Sequence, residues 1–113
     1  MFKVFRIEEF EKKMYKLLAL HERERVTKLE AEIAKNPFTG KPLRFTFLRE
    51  KRIDGKRMYF LIYEELSLAL MVSISDKKTQ QKTIDELKSL LPEFRKLAEK
   101  LQHLPDSSYS SSL

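Results

Sequence analysis

The chain has 113 residues, no cysteine, and 23 Lys and Arg against 17 Asp and Glu, for a formal charge of +6 and a pI near 9.5. This length holds one modest core, expected over residues 1–104, with a Ser-rich disordered tail expected over 105–113. The missing cysteines exclude disulfides, thiolate metal sites and a thiol nucleophile. No apolar run approaches bilayer length and Met1–Arg6 carries no signal-peptide core, so a soluble, cytoplasmic chain with no membrane partner is expected.

Phe2 to Phe5 read as a short first strand. From Ile7 the period becomes helical: Ile7, Phe10, Met14, Leu17 and Leu18 share one face. The stripe loses phase near Leu20-His21 and resumes with Val26, Leu29 and Ile33. This predicts a helical hairpin over about 7–20 and 22–35, with one long helix as the alternative. Asn36-Pro37-Phe38-Thr39-Gly40 ends it, because proline bars Asn36 from the helical region and Gly40 permits a turn.

Leu43, Phe45 and Phe47 then alternate with Arg44, Thr46 and Leu48, a strand pattern. Asp54-Gly55 is a strong two-residue hairpin signal. Met58, Phe60 and Ile62 alternate beyond it. Leu66, Leu68, Leu70, Val72 and Ile74 alternate with Ser67, Ala69, Met71, Ser73 and Ser75. The result is a three-strand meander with one apolar face, which the helical hairpin covers while the other face stays open. Two more stripes follow, Ile84, Leu87, Leu90 and Leu91, then Phe94, Leu97, Ala98 and Leu101. The fold class is α+β in the order β-α-α-β-β-β-α-α, a twisted antiparallel sheet with a helical hairpin on one face.

The charge is concentrated. Between Lys35 and Arg57 eight basic residues (Lys35, Lys41, Arg44, Arg49, Lys51, Arg52, Lys56, Arg57) face only Glu50 and Asp54, so this stretch carries as much net charge as the whole chain. A polyanion, either nucleic acid or an acidic protein, is the expected partner. With Asp54-Gly55 as the loop, Ile53 opposes Lys56, Arg52 opposes Arg57 and Glu50 opposes Tyr59. Two arginines across a ladder repel, which suggests an anion between them, since guanidinium forks suit phosphate. The competing reading is that Glu50, on the diagonal, neutralises one of them, or that both splay into water. A second cluster, Asp76-Lys77-Lys78-Thr79-Gln80-Gln81-Lys82-Thr83, opens a helix, where free N–H groups attract anions but lysines oppose the dipole. Conventional catalytic sets are missing. His21 and His103 lack metal-ligand spacing, no Gly-rich phosphate loop exists, and no cofactor is expected.

Three segments, NPFTGKPL (36–43), LREKRIDGKRMYFLIYEE (48–65) and ISDKKTQQKT (74–83), resemble the RelE/ParE toxin superfamily, the last being similar to the HigB-like branch. The resemblance spans about residues 2–90. It implies a ribosome-dependent mRNA endonuclease that works without metal. A 2′-OH attacks the adjacent phosphate in line, Arg and Lys offset the phosphorane charge, and basic groups assist proton transfer. It implies Arg52, Arg57, Lys77 and Lys78 as catalytic residues and Arg44, Arg49, Lys51, Lys56 and Tyr59 as RNA contacts. Implied partners are a cognate acidic antitoxin, the ribosome and mRNA. Phe60 stands where the family usually has an arginine before the strand tyrosine, matched here by Tyr63. The usual C-terminal Tyr or His has no clear counterpart. Those departures leave two alternatives: a protein of this fold that only binds RNA or an acidic partner, and a ParE-like gyrase inhibitor. The helices after Lys82 are longer than in many members, and could cover the open face or form a homodimer contact.

Overall fold

A computed structural model describes residues 1–105; the expected Ser-rich tail lies, apart from Pro105, outside them. The chain runs β1 (Lys3–Arg6), α1 (Glu8–Leu17), α2 (Leu20–Lys35), β2 (Lys41–Pro42), β3 (Leu48–Ile53), β4 (Lys56–Tyr63), a 3₁₀ turn (Glu64–Leu66), β5 (Leu68–Asp76), α3 (Gln80–Ser89) and α4 (Leu91–Leu101). The α+β class and the order of the main elements are those read from the sequence. Among the described residues no helix is long and apolar enough to cross a membrane.

The expected helical hairpin forms, not the alternative of one long helix. Leu18 and Ala19 are both extended, and the Glu22 side chain accepts the Ala19 N–H at 2.8 Å, capping α2 where its stripe restarts. α2 ends at Asn36, ahead of Pro37.

The five strands lie in the order β1-β5-β4-β3-β2. β3, β4 and β5 form the expected antiparallel meander, while β1 joins β5 in parallel and makes the sheet mixed. The β3–β4 register is as the turn dictated: Ile53 pairs with Lys56, Arg52 with Arg57, and Glu50 with Tyr59. Asp54 takes the left-handed conformation that such a tight turn needs.

Three expectations need correction. The strand pattern at Leu43, Phe45 and Phe47 is a looped segment. Only Lys41 and Pro42 pair with β3, and the strand proper starts at Leu48. The chain folds back there, Leu43 N–H bonding to the Leu48 carbonyl and Leu48 N–H to that of Phe45, while the Phe45 and Phe47 rings stack at 4.9 Å. Gly40, in the left-handed region, brings this segment so close to β3 that a Cβ would lie 2.5 Å from the Glu50 carbonyl oxygen.

Second, β5 carries a bulge. Tyr59 pairs with Ser73 but Phe60 with Met71, which leaves Val72 unpaired. Paired residues share a face. Leu68, Leu70, Ser73 and Ser75 therefore lie on one face, while Ala69, Met71 and Ile74 lie on the other.

Third, neither face is open. α2 covers the face of Arg6, Lys51 and Lys56 through Glu30, Glu32 and Glu22. α3 and α4 cover the opposite face, where Gln80 bonds Glu50 and Arg95 lies over the Tyr63 ring. The physical reason is the apolar row Leu61, Tyr63, Leu68 and Leu70 on that second face, which needs cover. Leu87, Phe94, Leu97, Ala98 and Leu101, all buried, supply it. β4 from Arg57 to Tyr63 and β5 from Leu68 to Ser75 are consequently buried without interruption.

Candidate functional site

The turn of the first basic segment and the start of the second meet at one end of the sheet. Pairing of Lys56 with Asp76 sets the β3–β4 turn beside the β5–α3 junction, so Lys77 and Lys78 follow directly on the strand end next to the hairpin. Across the second face the outermost row runs Arg52, Arg57, Ser75, and the row within it Glu50, Tyr59, Ser73.

Arg52, Lys77 and Lys78 are exposed, and Arg57, across the ladder from Arg52, is buried. Glu50, itself 4% exposed, places Oε1 3.4 Å from Arg57 Nε. The diagonal carboxylate thus neutralises Arg57, as the competing sequence reading had it. Gln80 of α3 donates Nε2–H to the same Glu50 oxygen at 2.8 Å. Tyr59 and Ser75 share a hydrogen bond of 2.8 Å, and burial pushes the Tyr59 phenol above its ordinary value. Lys13 of α1 reaches Ser73 Oγ at 2.9 Å.

The α3 start is tied down by Asp76, whose Oδ1 accepts both the backbone N–H and the hydroxyl of Thr79 at 2.9 Å. Those bonds hold the Asp76 carboxyl below its usual value. The N–H groups of the first helical turn have no side-chain cap.

The expected RNA contacts divide by environment. Arg44 is exposed. Lys51 and Lys56 are partly exposed and paired with Glu32 at 3.7 Å and Glu22 at 3.6 Å. Tyr59 is fully buried and presents no ring to stack on a base in this conformation. Arg49 is a clamp. Its guanidinium donates to the carbonyls of Thr39, Gly40 and Thr46 at 2.9, 3.1 and 3.2 Å and lies 5.9 Å from the centre of the Phe38 ring. These two positions are where the structure departs most from the expected contact surface.

Glu50 holds the place that the competing sequence reading gave it, while Gln80 holds a central one that the sequence did not assign. The turn register already placed Glu50 beside Tyr59 and diagonal to Arg57, which was the available signal. Gln80 depends on where α3 lands. His21, Glu22 and Asp54 also cluster, their ligand atoms within 4.8 Å of one another. Arg25 at 2.9 Å from Asp54 and Lys56 at 3.6 Å from Glu22 already supply the positive charge there.

No protein-family model and no curated protein sequence matches the chain. Solved structures do. The isolated E. coli RelE toxin superposes with a TM-score of 0.58 at 16% identity, covering 77% of this chain and 99% of that one. A chain of the intact E. coli RelBE toxin–antitoxin complex gives 0.53 at 16% identity, over 67% and 96%. A doubly substituted E. coli RelE in complex with a RelB antitoxin peptide gives 0.58 at 16% identity, over 73% and 93%. The fold is RelE-like.

Proposed function

We propose that this chain is the toxin of a toxin–antitoxin pair and cuts mRNA on the ribosome without a metal. The observation that carries the proposal is that a RelE-like fold brings the turn end of the basic β3–β4 hairpin and the Lys77-Lys78 segment to one end of the sheet. There Arg52, Lys77 and Lys78 offer exposed charge to a ribose-phosphate chain. Arg57, buried beside Arg52 on the ladder, would offset charge on a phosphorane once it is uncovered. Lys51 and Lys56 flank this end, while Arg44, exposed near the far end of β3, offers a separate contact to ribosomal RNA. An acidic antitoxin is the matching partner for a chain of charge +6.

A second reading has its own observation. Arg57 is neutralised by Glu50, and Tyr59 is sealed beneath α3 and α4. If that cover is permanent, the protein keeps the basic end but only binds RNA or an acidic protein.

Purified chain added to ribosomes programmed with a defined mRNA separates the two. The proposal expects cleavage in the open decoding site, lost in Arg52→Ala/Lys77→Ala/Lys78→Ala and prevented by an acidic antitoxin. Salt-sensitive binding with intact mRNA would establish the second reading.

A further inference from the structure

We infer that Arg57 is a latched anion site, with Glu50 as its resident counter-ion and Gln80 at the start of α3 as the latch, and that a phosphate group of RNA reaches the guanidinium only when the first turn of α3 lifts. The inference rests on the reading of this end as RNA-facing and deepens it, because it says what controls access.

Three observations support it. Arg57 Nε is the one buried side-chain nitrogen or oxygen among the described residues without a hydrogen-bond partner. Its side chain is only 9% exposed, so the N–H has lost water and gained no acceptor. Glu50 lies 3.4 Å away and balances its charge, yet the geometry is not that of a hydrogen bond.

Next, Glu50 Oε1 accepts from Gln80 at 2.8 Å. A neutral amide therefore occupies the oxygen to which a guanidinium would bond more strongly. Gln80 holds the carboxylate in place and closes α3 over Arg57 with the same bond.

Finally, the latch belongs to a helix start that favours an incoming anion. Lys77, Lys78 and Lys82 are exposed around the first turn of a 10-residue helix with no acid in that turn and no cap from the Thr79 side chain, and Asp76 just before it is engaged by the Thr79 N–H and hydroxyl. Cations at a helix N-terminus oppose the dipole, and an arriving phosphate would relieve that repulsion while accepting from the free N–H groups. Arg52, exposed and directly across the ladder from Arg57, marks the side from which it would come. The phosphate would replace Glu50 as partner of Arg57, with no covalent change.

The test is nuclear magnetic resonance of the arginine Nε–H groups in the full chain. Hydrogen exchange at Arg57 Nε should be slow in the wild type and about tenfold faster in Gln80→Ala, because losing one hydrogen bond to a charged group moves a closed–open equilibrium by about that factor. Inorganic phosphate should bind Gln80→Ala and Glu50→Gln about tenfold more tightly than wild type, since apparent affinity follows the open fraction, and should shift the Arg57 Nε–H signal. Should Glu50→Gln not fold, Gln80→Ala decides alone. Unchanged exchange and phosphate affinity in Gln80→Ala would overturn the latch, as would phosphate that perturbs lysine signals while leaving Arg57 untouched. Neither result depends on RNA cleavage, so the latch and the proposed toxin activity can fail separately.

Discussion

Arg49→Ala should unfold the protein more easily and leave RNA binding nearly unchanged, although its charge alone would mark it as an RNA contact. The guanidinium makes three hydrogen bonds to the carbonyls of Thr39, Gly40 and Thr46, anchoring the segment between α2 and β3. Charge-assisted bonds of this kind contribute about 1.5–3 kcal/mol each when both partners are dry. Here Gly40 and Thr46 are exposed and can recover water, so about 1 kcal/mol each is the better figure. The contact over Phe38, a partly exposed ring, adds about 0.5 kcal/mol. The expected loss is about 3 kcal/mol, a fall in Tm of roughly 10–20 °C for a domain of this size. Arg49→Lys should recover little, because an ammonium cannot span three carbonyls with a planar fork. Urea denaturation gives the stability, and RNA affinity against salt concentration gives the contact count. A lost phosphate contact would lower the salt slope by about 1, and none is expected here. Wild-type stability together with a reduced salt slope would refute the clamp and restore Arg49 to the RNA surface.

Two further outcomes follow from the buried and capping carboxylates. Arg6 grips Glu30 with two hydrogen bonds of 2.8 Å, joining β1 to α2, and Arg6→Met should cost about 3–5 kcal/mol because it leaves a buried carboxylate without this partner. Burial already pushes Glu30 above its ordinary value against the pull of Arg6, so its ionised form is the disfavoured one in the fold. A carboxyl with a raised folded pKa favours the fold below its unfolded value and loses that contribution as pH rises. The Arg6→Met deficit should therefore be smaller at about pH 5 than at about pH 8, measured by urea denaturation, and Arg6→Met/Glu30→Met should recover most of it. Asp76 has the opposite sign. The Thr79 N–H and hydroxyl lower its pKa, so its contribution is present above the unfolded value of 3.8 and lost as pH falls through the lowered one. Thermal melts of wild type and Asp76→Ala should differ near neutral pH and converge in strong acid.

The parts legible in the sequence were those fixed by local rules. Asp54-Gly55 dictates a two-residue turn, and from it the pairing of Arg52 with Arg57 and of Glu50 with Tyr59 follows by counting. The helical stripes through Phe10, Met14, Val26 and Ile33 all reach the core. What failed needed information from elsewhere in the chain. The bulge at Val72 lies in a run where both alternating sets are small or apolar, so slipping by one residue carries little penalty in the pattern. The charge of Arg49 suggests an RNA contact, and its backbone-carbonyl partners are ones that no residue type announces. The stripe of Leu87, Phe94 and Leu101 is visible as a stripe, and the sequence leaves open whether it covers the sheet or a second copy; the cover over Leu61 and Leu70 is set by packing between distant segments. A continuous run of buried residues in β4 and β5 is the mark of a sheet covered on both sides, and Arg57, Tyr59, Ser73 and Ser75 interrupt that mark in the sequence because they form two polar rows at the end of the covered face.

The most direct measurement is to express the chain in cells without an antitoxin and sequence the 5′ ends of the mRNA that accumulates. The account predicts growth arrest with new ends phased to codons in translated messages, absent when Arg52, Lys77 and Lys78 are all replaced by alanine. Arrest with intact messages and broken DNA, or the same ends from the substituted chain, would contradict it.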